Sequence, residues 1–132
     1  MQVLIVDDNV TNGLLLQRVV GRIENCIAHS FTDPVEALAK AAEVVFDIAL
    51  VDYVMPRLSG IEFILALHRM PGREHVPVIL VTSTVERTVQ EAALRAGAVD
   101  FIAKPIDPAS VRSRIRQVLT VPGTTGLAAA TA

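Results

Sequence analysis

Several apolar runs in this sequence end in a side chain that could do chemistry. Residues 2–6 lead into Asp7 and Asp8, residues 48–51 into Asp52, residues 78–81 into Thr82, and residues 99–103 into Lys104. A charge at the end of a buried strand is costly unless something pairs with it. Three carboxylates brought close together repel by roughly several kcal/mol per pair at intermediate dielectric, so they coexist as anions only around a cation. Hard oxygen ligands that leave open positions suit Mg²⁺, completed by waters and a backbone carbonyl. Lys104 would add a fixed positive charge. Such a set fits phosphoryl transfer to a carboxylate, with Asp52 as nucleophile. Mg²⁺ and Lys104 would neutralise the transferring oxygens, and the Thr82 hydroxyl could hydrogen-bond one of them.

The elements that must position these groups follow from hydrophobic patterning. Residues 2–6 and 48–51 predict fully buried strands, as do 76–81, while 26–31 alternates weakly and suits a sheet edge. The fifth strand covers residues 99–103. Asn9 caps a first helix carrying Leu14, Leu15, Leu16, Val19, Val20 and Ile23 and ending near Glu24 and Asn25. Asp33, Pro34 and Glu36 form a helix start with a capping-box pattern, and that helix runs to about Val44. Ile61 to Leu67 predicts a third helix, stopped by Met70-Pro71-Gly72. Thr84 can cap a fourth helix, closed by Gly97 in the left-handed conformation. Asp107-Pro108 opens a fifth, with Val111, Ile115, Val118 and Leu119 inward. Strands alternating with helices imply a parallel sheet with helices on both faces and right-handed crossovers. Its ligand site belongs outside the carboxyl ends of the strands.

The bulk numbers bound the possibilities. The chain has 132 residues, enough for one domain with one core, and is 52% apolar, so it can bury that core. A formal charge of −2 leaves no basic surplus to suggest direct nucleic-acid binding. No apolar run is long enough to span a membrane, and Asp7-Asp8 follows the start too closely to leave room for a signal peptide. The single Cys26 excludes an internal disulfide and suits a reducing, cytoplasmic setting, where it would be a small buried residue. Residues 121–132, with Pro122, Gly123, Gly126 and an Ala-rich end, suit a linker or tail, leaving residues 1–120 as the domain.

The chain resembles a response-regulator receiver domain of two-component signalling. The resemblance rests on Val3-Leu4-Ile5-Val6-Asp7-Asp8-Asn9, on Val51-Asp52-Tyr53-Val54-Met55-Pro56 with Gly60, on Val81-Thr82-Ser83, on Gly97 to Phe101, and on Lys104-Pro105, all in family order. It implies a flavodoxin-like (βα)5 three-layer sandwich with a parallel five-stranded sheet of order 2-1-3-4-5. In that order Asp7, Asp8 and Asp52 converge on one crevice. It also implies roles. Asp52 resembles the phosphoacceptor. Asp8 resembles a direct Mg²⁺ ligand, Asp7 one acting largely through water, and the Val54 carbonyl the backbone ligand. Lys104 resembles the phosphate-binding lysine, with a cis bond before Pro105. Thr82 and Phe101 resemble the switch pair: phosphate draws the threonine inward, the aromatic turns into the vacated space, and the fourth helix, fifth strand and fifth helix change as one face. The phosphodonor would be a sensor histidine kinase or phosphotransfer protein. The output domain would lie outside this chain, and the switching face could form a homodimer. The wording at 53–56 and 100–107 resembles receivers attached to cyclic-dinucleotide phosphodiesterases.

Val54 and Thr84 depart from nothing essential but sit beside the expected phosphosite, where apolar Val54 cannot position a water; slow self-dephosphorylation is expected. Other functions compete. A small aspartate-dependent phosphohydrolase would use an Asp-x-Asp first strand, whereas this one ends Asp7-Asp8-Asn9. A docking-only receiver is at odds with the intact acceptor set. Dinucleotide binding lacks its glycine fingerprint. Singly, each acid could be a turn or cap residue, Lys104 a solvated lysine, Phe101 core and Thr82 a helix cap. His29, His68 and His75 show no metal spacing and read as surface or structural. Arg112 and Arg116 share a face of the last helix; with Arg114 they are either solvated or paired with acids near Asp100 or Glu91 across a dimer interface.

Overall fold

The structure, a computed structural model, describes residues 1–84 and 86–120; the expected linker or tail at 121–132 lies outside the described residues. Strands β1 (Gln2–Val6), β2 (Ile27–Phe31), β3 (Ile48–Asp52), β4 (Val78–Thr82) and β5 (Ala98–Ala103) alternate with helices α1 (Val10–Gly21), α2 (Pro34–Glu43), α3 (Gly60–His68), α4 (Arg87–Ala96) and α5 (Pro108–Thr120). The strands pair in parallel in the order β2-β1-β3-β4-β5, the expected flavodoxin-like arrangement.

Alternation along each strand divides the interior in two. Leu4, Val6, Ala49, Val51 and Leu80 face one side, where they meet Ala37 and Ala41 of α2, Phe63, Ile64 and Leu67 of α3, and Ala93 of α4. Val3, Ile5, Ile48, Leu50, Ile79 and Val81 face the other, against Leu16, Val19 and Val20 of α1 and Val111, Ile115 and Val118 of α5. A strand that buries both faces needs apolar residues throughout, which is why β1, β3 and β4 read as continuous runs. Strand β2 is an edge and is mostly half-buried. At the other edge, the register of β4 with β5 jumps from Val78–Ala98 to Ile79–Asp100, leaving Val99 as an unpaired, outward bulge.

Several helix ends differ from expectation. Helix α1 stops at Gly21, short of Glu24 and Asn25, because Gly21 is a poor helix former and Asn25 takes a left-handed conformation in the turn that follows (φ 65°). Leu14, expected among the apolar positions of this helix, lies on its outer side, 53% exposed. Asp33 caps α2 through the Val35 N–H without a reciprocal bond from Glu36, so no capping box forms there. A complete box forms instead at α3, between Ser59 and Glu62. Thr84 does not cap α4. Its N–H is turned back to Thr82 Oγ1, and the helix starts at Arg87 with Glu86 as an N-cap that makes no side-chain bond. Gly97 closes α4 in the left-handed region as expected (φ 117°). Cys26 is half-buried, and burial pushes its thiol up from the ordinary value. Among the described residues no helix is long and apolar enough to cross a membrane.

Candidate functional site

The carboxyl ends of β1, β3, β4 and β5 form one rim. Parallel pairing sets Val6 beside Val51, Asp52 beside Val81, and Thr82 beside Ala103. Ladder-like bonds continue past the strand ends: Asp7 N–H donates to Phe31 O, Tyr53 N–H to Val81 O and Lys104 N–H to Thr82 O. Asp52 and Thr82 are thus the last residues of their strands, and Asp7 and Lys104 the residues just after theirs. The bond between Lys104 and Pro105 is cis, as expected.

Asp7, Asp52 and Thr82 are the buried polar residues of the chain's described part, at 1%, 6% and 4% exposure. Asp8 is exposed beside them, and one oxygen from each of Asp7, Asp8 and Asp52 lies within 4.8 Å of the others. Lys104 Nζ stands 3.1 Å from Asp52 Oδ1 and 3.4 Å from Asp7 Oδ2. Asp7 Oδ1 accepts the Asn9 N–H at 2.9 Å. Its other oxygen is buried with no hydrogen-bond partner; Lys104 reaches it as an ion-pair contact only. A buried carboxylate oxygen left in this way is costly unless a cation comes to it. Three hard oxygen donors with an unsatisfied one among them fit a hard divalent cation.

The charge imbalance is felt at Asp52. Burial, then the negative charge of Asp7, push its carboxyl up from 3.8 to about 6, with contact to Asp8 adding to this and Lys104 opposing it. One ammonium does not balance the carboxylates it faces.

Two features hold the loop after β3. Gly60 N–H donates to Tyr53 O at 2.7 Å, and a Cβ at Gly60 would lie 2.6 Å from both Asp52 O and Leu80 Cδ1. Glycine is required there by close approach. Arg57, itself left-handed (φ 76°), pairs with Asp33 at 2.6 Å and ties this loop to the start of α2. Neither the Arg57–Asp33 tie nor the Asn9-to-Asp7 bond was expected, since each depends on loop conformation.

Among the other expected site residues, Thr82 Oγ1 accepts the Thr84 N–H at 3.0 Å, Phe101 is half-buried against the α2-α3-α4 side of the core, and the Val54 side chain points out, 67% exposed. Arg114 pairs with Asp100 of its own chain and donates to Phe101 O at 3.2 Å. The bulge at Val99 and the facing turn of α5 bring Asp100 within its reach in the single chain. His29 and His68 are structural, bonded to Gln2 Oε1 and Val76 O, and His75 is exposed.

Residues 3–116 match the family model described as the response regulator receiver domain. This chain belongs to the receiver-domain family. It is 35% identical over 120 residues to the cyclic di-GMP phosphodiesterase response regulator RpfG of Xanthomonas campestris, covering 90% of this chain and 32% of that protein. It is 33% identical over 117 residues to the response regulator PleD of Caulobacter vibrioides, covering 89% of this chain and 26% of PleD. It therefore spans about a third or less of these two relatives. Among solved structures, the response regulator domain of Thermotoga maritima CheB superposes with a TM-score of 0.80 at 32% identity, covering 92% of this chain and 97% of that one. A putative response regulator from Chloroflexus aurantiacus, at 24% identity and a TM-score of 0.84 over 91% of this chain and 98% of its own, shares the fold.

Proposed function

We propose that this receiver domain accepts a phosphoryl group on Asp52 from the phosphohistidine of a sensor kinase or phosphotransfer protein, and that its α4-β5-α5 face then changes to control an output domain or partner. The observation that carries this reading is Lys104 Nζ at 3.1 Å from Asp52 and 3.4 Å from Asp7, at the mouth of a three-carboxylate cluster.

In the transfer, an Asp52 oxygen forms a bond to phosphorus as the phosphorus–nitrogen bond of the phosphohistidine breaks, and the imidazole leaves with that electron pair. Asp7, Asp8, Asp52 and the Val54 carbonyl would hold Mg²⁺. When bound, it supplies positive charge to the transferring oxygens. Lys104, anchored through its own N–H to Thr82 O, is aimed to hold a phosphoryl oxygen on the other side. The Thr82 hydroxyl oxygen is engaged as an acceptor by Thr84, which leaves its proton free to donate to a phosphoryl oxygen. Moving inward to do so would break the Thr84 bond and alter the approach to α4. Phe101 lies next on β5, and Arg114 grips both Asp100 and the Phe101 carbonyl, so a change at Phe101 would reach α5 through direct contacts. The same face is where a second copy of this chain could dock.

The test is intact mass after incubation with a small phosphodonor, with and without Mg²⁺. One added phosphoryl group is expected, dependent on Mg²⁺ and absent in Asp52→Asn. No adduct on a folded, Mg²⁺-binding protein would move the assignment to a docking-only receiver. Val54, outward and apolar beside the acceptor, offers no hydrogen bond to a hydrolytic water. The acyl phosphate is therefore expected to decay slowly for the family, and a lifetime of seconds would contradict that.

A further inference from the structure

On the side of the sheet away from Phe63 and α3, helices α1 and α5 enclose a groove of about 200 Å³ lined by Leu15, Arg18, Val19 and Arg22 from α1 and its C-cap, and by Pro108 and Arg112 from α5. Arg18 and Arg22 are four apart and so project from the same side of α1. Arg112 faces them across the groove. None of the three makes an ion pair or side-chain hydrogen bond with a described residue. The surrounding sequence is segregated by charge. Of the chain's 12 Lys and Arg, α1 with its C-cap and α5 carry Arg18, Arg22, Arg112, Arg114 and Arg116; of its 14 Asp and Glu they carry none. Each of the other helices carries acid: Glu36 and Glu43 on α2, Glu62 on α3, Glu91 on α4.

We propose that this groove binds a small phosphorylated anion bearing at least two negative charges, of the kind presented by a diphosphate group. Guanidinium forks match phosphate oxygens in shape and charge. Three forks lining one groove can share the oxygens of a diphosphate, whereas a single carboxylate cannot satisfy them all. Val19 is buried and Leu15 half-buried, giving the groove an apolar floor that would exclude water from beneath the ligand. Its volume is below the roughly 300 Å³ at which pockets for whole drug-sized molecules begin. The occupant is therefore a compact charged group with a small apolar body. The site uses none of Asp7, Asp8, Asp52, Thr82 or Lys104 and does not depend on the phosphoacceptor reading.

The test titrates inorganic pyrophosphate into the full chain, without divalent cations and at fixed ionic strength, following amide and arginine Nε–H resonances. Saturable shifts are expected at Arg18, Arg22, Arg112 and Leu15. Replacing each arginine by Gln should weaken binding on the order of tenfold, while Arg116→Gln, outside the groove, should leave it nearly unchanged. The proposal is overturned by shifts that do not saturate, by shifts centred on Lys104, or by unchanged binding in the triple Gln variant. Binding of a hexaglutamate peptide with no response to pyrophosphate would also overturn it, in favour of an acidic protein segment. Should the triple variant not fold, Arg112→Gln alone decides.

Discussion

Two places in this molecule hold charge out of balance, and they do so oppositely. At the rim of the sheet, Asp7 and Asp52 share the ammonium of Lys104, and Asp8 adds a third carboxylate beside them. In the α1-α5 groove, three guanidiniums pair with no carboxylate among the described residues. Asp7 and Asp52 are buried there, and burial together with the uneven charge shows at once, in the raised pKa of Asp52 and the unsatisfied oxygen of Asp7. The groove opens to water, where like charges repel weakly and arginines can stand together at small cost. The contrast teaches that burial sets how strongly unbalanced charge weighs on the fold. The same excess of one sign is a strong constraint at the rim and a mild one on the helices.

Removing the rim's cation should break this comparison most visibly. Lys104→Met keeps the apolar stem and leaves Asp7 and Asp52 facing each other, which should cost about 2–4 kcal/mol in the absence of metal. Denaturant unfolding in EDTA would measure it, and added Mg²⁺ should recover part of the loss. Removing the excess anion should act the other way. A carboxyl whose folded pKa of about 6 lies above its unfolded 3.8 holds its proton more tightly when folded. Its contribution to stability is complete below about pH 4 and is lost as pH rises through about 6. The metal-free protein should therefore weaken across that window. Asp52→Asn should flatten the slope and gain about 1–3 kcal/mol at neutral pH. Stability–pH curves with no such difference between the two proteins would show that the rim is balanced. The smallest effect belongs to the groove: replacing Arg18, Arg22 and Arg112 together by Gln should change stability in the ligand-free state by no more than about 1 kcal/mol, with a gain the expected sign. A large loss in the same unfolding experiment would mean that those side chains hold the helices together.

The rim was legible because each of its residues interrupts an apolar run. A buried parallel strand can carry a polar residue only at its end, so Asp7, Asp52, Thr82 and Lys104 mark both the strand boundaries and the site. Phe101 read singly as a core residue and through the family pattern as a switch aromatic, and its half-buried position is compatible with both. What escaped depends on loops and on contacts between distant segments. The start of α4 was misplaced because Thr84 has two partners available, the helix ahead and Thr82 behind, and the second prevails. The capping pattern at Asp33 was over-read while the equivalent one at Ser59–Glu62 went unremarked; Asp33 holds the nearer Val35 N–H and is also engaged by Arg57. The groove could not be seen in one dimension, since Arg18 and Arg112 become neighbours only when α1 and α5 settle on the same face.

The sheet itself gives the molecule two interiors that share no residue, one lined by α2, α3 and α4 and one by α1 and α5. Each can be repacked independently. Truncating Ile64 to Val on one side and Ile115 to Val on the other should each cost about 1 kcal/mol, and the double variant should show their sum to within roughly 0.5 kcal/mol. Evolution, or an engineer, could therefore tune the half that bears on α4 while leaving untouched the half that carries the arginines.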